Sequence, residues 1–139
     1  YFSNNKNQFF SIDLGTGSFN WENKVNSSLR PILVGEYLFT ISIEGYLIVI
    51  EKKSGNIIKV TDIFRNFKKK KREKIKPVGF LIGLKNIYLT TDNGRLFIID
   101  IKTGRTNSIL KIDSDKISRP FVLDKSLFVV KDNAIIKLD

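Results

Sequence analysis

Gly94-Arg95-Leu96-Phe97-Ile98-Ile99-Asp100-Ile101-Lys102-Thr103-Gly104 opens on a turn glycine, runs through apolar residues to an acid, and closes on a Thr-Gly turn. The layout recurs. Gly45 to Gly55 reads Gly-Tyr-Leu-Ile-Val-Ile-Glu-Lys-Lys-Ser-Gly, Asn7 to Gly17 reads Asn-Gln-Phe-Phe-Ser-Ile-Asp-Leu-Gly-Thr-Gly, and Asn133 to Asp139 reads Asn-Ala-Ile-Ile-Lys-Leu-Asp. The opening column is therefore Asn7, Gly45, Gly94 and Asn133. Six residues on comes an acid column of Asp13, Glu51, Asp100 and Asp139, and ten residues on a glycine column of Gly17, Gly55 and Gly104. Glycine and asparagine best tolerate positive φ, so the first and third columns read as hairpin turns. An acid just before a turn accepts hydrogen bonds from nearby amides. Columns held at fixed offsets mark an internal repeat, and a repeat is decided before local propensity.

Between the columns the chain reads as short strands. Residues 8–14 and 19–25 form a pair, the second containing Trp21; residues 1–5 read as the tail of an earlier segment. A new unit begins at Arg30-Pro31, where a proline suits a strand start that needs no N–H. Residues 36–43 alternate, with Phe39, Ile41 and Ile43 on one side and Leu38, Thr40 and Ser42 on the other. Tyr46 to Ile50 is continuously apolar, which predicts a strand covered on both faces. Four strands per unit over roughly 40 to 45 residues predict β-propeller blades. The expected blades are residues 1–29 (partial), 30–76, 77–118 and 119–139 (partial), an all-β propeller segment of two whole and two partial four-stranded antiparallel blades. A propeller closes with about four to eight blades. The chain is therefore expected to be part of a longer protein, with Asp139 near its C-terminus and further blades upstream of Tyr1.

The 139 residues carry a net charge of +10 and are 42% hydrophobic, enough for a packed core and too apolar for a disordered chain. Cysteine and histidine are both absent, which removes disulfides, thiolate chemistry and the commonest general base and metal ligand. The charge is concentrated. Residues 65–76 hold eight bases and one acid, a net of +7. Lys68, Lys69, Lys70, Lys71 and Arg72 are therefore candidates for contact with an anionic surface or acidic partner; a solvated loop between blades is the plainer reading. Phe67 is the only aromatic there, so stacking residues for single-stranded nucleic acid are lacking and no nucleic-acid partner is expected. Trp21 and the phenylalanines read as core.

The segment Ile12-Asp13-Leu14-Gly15-Thr16-Gly17-Ser18-Phe19-Asn20-Trp21 resembles the quinoprotein-type, or PQQ-like, propeller repeat. The stretch from Gly94 to Asp100, Thr103-Gly104-Arg105, Lys111 to Ser114, and Arg119 onward is most similar to the BamB branch of that family, the propeller lipoproteins of outer-membrane β-barrel assembly. That branch implies a non-enzymatic protein-interaction scaffold. Its partners would be barrel-assembly subunits or nascent outer-membrane proteins. The implied location is the periplasmic side of the outer membrane, reached through an N-terminal lipid outside this chain. Ser28-Leu29-Arg30 resembles a partner-contact loop of the branch, which makes Arg30 a candidate contact. The Trp that family blades place four residues after the Thr-Gly turn is kept only as Trp21; Lys59 and Ser108 hold the other positions, so interlocking of blades should be reduced there. The insertion at residues 65–76 departs from the family pattern.

The family also contains PQQ-dependent dehydrogenases, which makes a dehydrogenase fragment the alternative; a generic interaction propeller with a basic loop is a third. Such enzymes need several oxygens converging on Ca²⁺. Here the acids come one per repeat at a turn, and Asp113 and Asp115 stand too isolated for a Ca²⁺ loop. Gly15-Thr16-Gly17 lacks the helix and later acid of a dinucleotide site. No catalytic residue, cofactor or metal is expected.

Overall fold

The computed structural model describes residues 1–4 and 6–138; the acid-column position Asp139 lies outside the described residues. The chain divides into two units, Tyr1–Phe64 and Arg65–Asp139. All four sheets among the described residues are antiparallel meanders, each strand joined to the next by a short connection.

The first unit holds two sheets. One has the order β1 (Phe2–Ser3), β2 (Phe9–Ile12), β3 (Phe19–Asn23). The other runs β4 (Ile32–Val34), β5 (Tyr37–Ile41), β6 (Tyr46–Glu51), β7 (Ile57–Asp62). Of residues 1–5, read from sequence as an earlier segment's tail, Phe2 and Ser3 instead pair with Phe10 and Phe9 as part of the same sheet. Aromatic rings explain the pairing: Phe10 lies between Phe2, with centroids 5.0 Å apart, and Phe19, at 5.2 Å. Cross-strand aromatic pairs of this kind stabilise short ladders. Phe2 and Phe19 are themselves exposed, so not every phenylalanine is core.

The two sheets share an apolar cluster. Phe9 and Trp21 come from the first sheet, Val25 from the connection, and Leu38, Ile48 and Ile50 from the second, with Tyr46 packed at its border. β6 is buried along most of its length, in accord with its unbroken apolar run. β5 does not alternate between core and solvent: Leu38, Phe39, Thr40 and Ile41 are all buried. Its polar member is accommodated by a hydroxyl chain. Thr40 Oγ1 donates to Ser27 Oγ at 2.9 Å, and Ser27 Oγ donates to the Ile41 carbonyl at 2.8 Å. A buried hydroxyl without such partners would carry its full desolvation cost.

The second unit repeats the plan. Its first sheet has the order β8 (Pro77–Ile82), β9 (Asn86–Thr91), β10 (Arg95–Asp100), β11 (Thr106–Lys111). Its second is β12 (Phe121–Leu123), β13 (Ser126–Lys131), β14 (Ala134–Leu138). Ile87, Leu89, Leu96, Phe97, Ile99 and Val129 are fully buried in it. The one helix among the described residues is the single turn α1 (Lys69–Arg72), within the basic insertion. Among the described residues, no helix is long and apolar enough to cross a membrane. The chain is thus an all-β segment of propeller type, built from sheets of three and four antiparallel strands.

Candidate functional site

The repeat columns define three turns with one chemistry. In each, the acid closes the hairpin with its backbone: Asp13, Glu51 and Asp100 donate their N–H to the carbonyls of Ser18, Asn56 and Arg105, each at 2.9 Å. Their carbonyls accept from Gly17, Gly55 and Gly104. The acid side chain then caps the turn. Asp13 Oδ1 accepts from the Gly15 and Thr16 amides at 2.8 Å, and Asp100 Oδ1 accepts from the Thr103 amide at 2.7 Å. Glu51 Oε2 accepts from the Ser54 amide and hydroxyl. Amide donors favour the ionised acid, so Asp13 and Asp100 are held below the usual carboxylate range, chiefly by the Thr16 and Thr103 backbone N–H groups. One step before each acid the ladder shifts register: at Ser11/Ile12, Val49/Ile50 and Ile98/Ile99. A bulge at that point adds local twist and aims the strand into the turn.

The opening column lies at positive φ throughout: Asn7 at 61°, Gly45 at 87°, Gly94 at 69° and Asn133 at 63°. At Gly45 there is a second reason for glycine, since a Cβ would collide with the Phe64 ring.

Trp21 joins the two sheets of the first unit. Its indole N–H donates to the Lys52 carbonyl at 2.9 Å, and its ring stacks on Phe9 with centroids 6.0 Å apart. It lies so close over Gly55, φ 76°, that a Cβ there would come within 2.6 Å of the ring. Asn23 Nδ2 adds a bond to the Gly55 carbonyl at 2.6 Å. The acid-to-glycine turn of one repeat is thus the receptor for the Trp of the repeat before it.

In the second unit, Ser108 stands where a Trp would, and is exposed. Its two sheets are linked differently. Lys131 Nζ forms an ion pair with Asp113, whose side chain is only 7% exposed. Beside β12, Ser118 and Val130 exchange two hydrogen bonds that extend the β12–β13 side of the second sheet, Ser118 N–H to the Val130 carbonyl at 2.9 Å and Val130 N–H to Ser118 Oγ at 2.7 Å. Asp113 is held well below the ordinary carboxylate range, first by Lys131 and then by the Asp115 and Ser114 amides. Sequence reasoning saw Asp113 only as an isolated acid. The pairing with Lys131 spans residues whose proximity follows from the sheet, and no local motif announces it.

The basic candidates divide between the units. Arg30 lies in the first, exposed, directly after the buried Leu29. Nearby, a hollow of about 400 Å³ is lined by Ser3, Asn4, Asn26, Ser27, Ser28 and Ile43. Lys68 to Arg72 lie in the second unit, where one helical turn gathers them. Lys68, Lys70, Lys71 and Lys74 line an open hollow of about 580 Å³ with Asn66 and Phe67.

The model of a family described as outer membrane protein assembly factor BamB matches residues 1–61. The crystal structure of BamB from Moraxella catarrhalis superposes with a TM-score of 0.72 at 12% identity, over 94% of this chain and 37% of that one. The repeats resemble the PQQ-like β-propeller repeats of BamB. Propeller architecture is shared more widely. The quinohemoprotein alcohol dehydrogenase ADHIIG from Pseudomonas putida HK5 superposes with a TM-score of 0.56 at 19% identity, over 75% of this chain and 17% of that one. The β-propeller domain of Cps50 (Swd1) from Myceliophteria thermophila gives a TM-score of 0.65 at 16% identity, over 89% of this chain and 42% of that one. The chain spans less than half the length of each of these structures. No curated protein matches it in sequence.

The quinone and Ca²⁺ of the dehydrogenase branch would need converging oxygen ligands. The repeat acids do not fit that demand: each carboxylate is engaged by its own turn. Among the described residues, no three His, Cys, Asp or Glu side chains are grouped to hold a metal.

Proposed function

We propose that this chain is a segment of a non-enzymatic, BamB-like interaction scaffold that serves outer-membrane β-barrel assembly at the periplasmic side of that membrane. The observation that carries the reading is the edge strand β7. It exposes Ile57, Ile58 and Val60 at 43%, 53% and 55%, while lying at the edge of a four-stranded sheet. β11 does the same more weakly through Ile109 and Leu110. Apolar side chains on a sheet edge invite an extended segment to add as a further strand, with the backbone giving affinity and the side-chain pockets selectivity. Lys59, in the middle of β7, keeps that edge from pairing indiscriminately. Unfolded barrel strands are partners of that chemistry, and the resemblance to BamB supports the same choice.

The test uses the full-length parent protein with purified barrel-assembly subunits and with an unfolded outer-membrane protein chain. Retention of either is expected, with at least about a tenfold loss for Ile58→Lys combined with Val60→Lys, since each buries a charge in an apolar contact. Retention of neither overturns the reading. The dehydrogenase alternative is favoured by the likeness to ADHIIG; quinone-dependent dye reduction by the parent protein with added Ca²⁺ would replace the scaffold with it.

A further inference from the structure

We propose that the basic loop of the second unit, residues 65–76, docks on the phosphate-bearing surface of an anionic membrane. The inference is independent of the partner reading above. Four lysines, Lys68, Lys70, Lys71 and Lys74, face one open hollow, and no acid is among the residues lining it. α1 carries no acid in its first turn and four bases in its last. The sole acid of the loop, Glu73, is outnumbered eight to one by bases.

The loop is held in place, so these charges are presented rather than dispersed. The Phe67 ring packs on Phe97, with centroids 6.0 Å apart. Ile75 is buried, and the Lys76 N–H donates to Asp92 Oδ1 at 2.8 Å while the Asp92 N–H returns to the Lys76 carbonyl at 2.9 Å. Phe67 is also covered by Lys71, whose Nζ sits 5.1 Å from the ring centroid. The loop's single aromatic is therefore engaged on its own protein and does not offer a platform for a stacked base.

The chemistry of the cations separates a surface from a compact anion. A discrete phosphate is best gripped by arginine forks or backbone N–H groups within an enclosed site. Here the lining charges are exposed lysines, point charges on flexible stems around an open hollow. Such an array suits many phosphates spread over a plane, where juxtamembrane polybasic clusters gain additively from each charge.

The experiment is vesicle co-sedimentation of the full-length parent protein, without any lipid anchor, over a range of salt concentrations. Vesicles of equal parts phosphatidylglycerol and phosphatidylcholine should retain it, and vesicles of phosphatidylcholine alone should not. A variant combining Lys68→Gln, Lys70→Gln, Lys71→Gln and Lys74→Gln should lose at least about tenfold in partitioning, and the four matching Lys→Arg changes should restore it. Far-UV circular dichroism checks that both variants fold. Inorganic phosphate should displace the protein no better than chloride of equal ionic strength. The proposal is overturned by equal retention of the wild type and the Gln variant, or by retention on phosphatidylcholine alone. Displacement by phosphate beyond its ionic strength would mark a compact anion site and also overturn it. So would tighter binding to RNA than to the anionic vesicles at the same salt.

Discussion

The two units solve the same packing problem with different chemistry. In Tyr1–Phe64, sheet meets sheet through an indole: Trp21, stacked on Phe9 of its own sheet, donates to the Lys52 carbonyl and lies over Gly55. In Arg65–Asp139 the corresponding position is Ser108, exposed, and the link passes to the Asp113–Lys131 pair. The first arrangement is mainly apolar, largely indifferent to pH and costly to cut. The second is ionic and polar, so its strength follows the charge state of one carboxylate. A repeat therefore dictates the sheets and their corners, while the adhesive between neighbours is free to vary.

The sharpest way to break the comparison is Trp21→Ala. Removing a large core aromatic should cost about 3–5 kcal/mol, read by urea denaturation followed by far-UV circular dichroism. Loss of less than about 1 kcal/mol would show that the indole is not what joins the first unit's sheets. Next comes Gly55→Ala, which places a side chain both at φ 76° and against the Trp21 ring. About 2 kcal/mol should be lost, with a shifted Trp21 emission, because the left-handed backbone alone costs roughly 1–2 kcal/mol for a non-glycine residue. Ser27→Ala should cost about 1–2 kcal/mol, since it strands the Thr40 hydroxyl and the Leu29 N–H, which donates to Ser27 Oγ at 3.2 Å.

Asp113→Asn has the smallest effect on the fold at large and the most diagnostic one. Its folded pKa is depressed, so the stability it contributes is present above the unfolded value of about 4 and is lost as pH falls through the lower folded value. Wild-type protein should therefore weaken steadily between about pH 5 and the acid limit, and Asp113→Asn should flatten much of that dependence. Asp13 and Asp100 shift in the same direction and leave a residual slope in both units. An unchanged slope would remove Asp113 as the pH-sensitive link of the second unit.

The strands and turns were legible in the sequence for a local reason. The columns fix φ and hydrogen bonding within a few residues, and the strands they bound stand within one or two residues of the expected limits, as for residues 19–25, found as Phe19–Asn23, and Tyr46 to Ile50, found as Tyr46–Glu51. What escaped the reading depends on distance along the chain. Alternation along β5 placed Thr40 on one side with Leu38 but could not show that both sides are buried, because the covering side chains come from a neighbouring sheet. Phe2 and Ser3 looked like leftovers because their partners, Phe10 and Phe9, are assigned only by pairing. The ion pair of Asp113 and Lys131 joins residues 18 positions apart, with no pattern in between to signal it. For the basic loop, composition disclosed the charge; that Phe67 and Ile75 pin it in place is visible only in the packing.

The bulge that precedes each acid has a bearing on how such a protein is assembled over evolutionary time. Every corner brings its own twist, its own carboxylate cap and its own glycine within about a dozen consecutive residues, so a duplicated copy arrives already competent to bend. Gain or deletion of a whole module then disturbs little besides the two faces newly brought together. An array built this way can be lengthened or shortened by recombination with only those faces retuned afterwards, and an indole in one place and an ammonium–carboxylate contact in another are compatible with one chain.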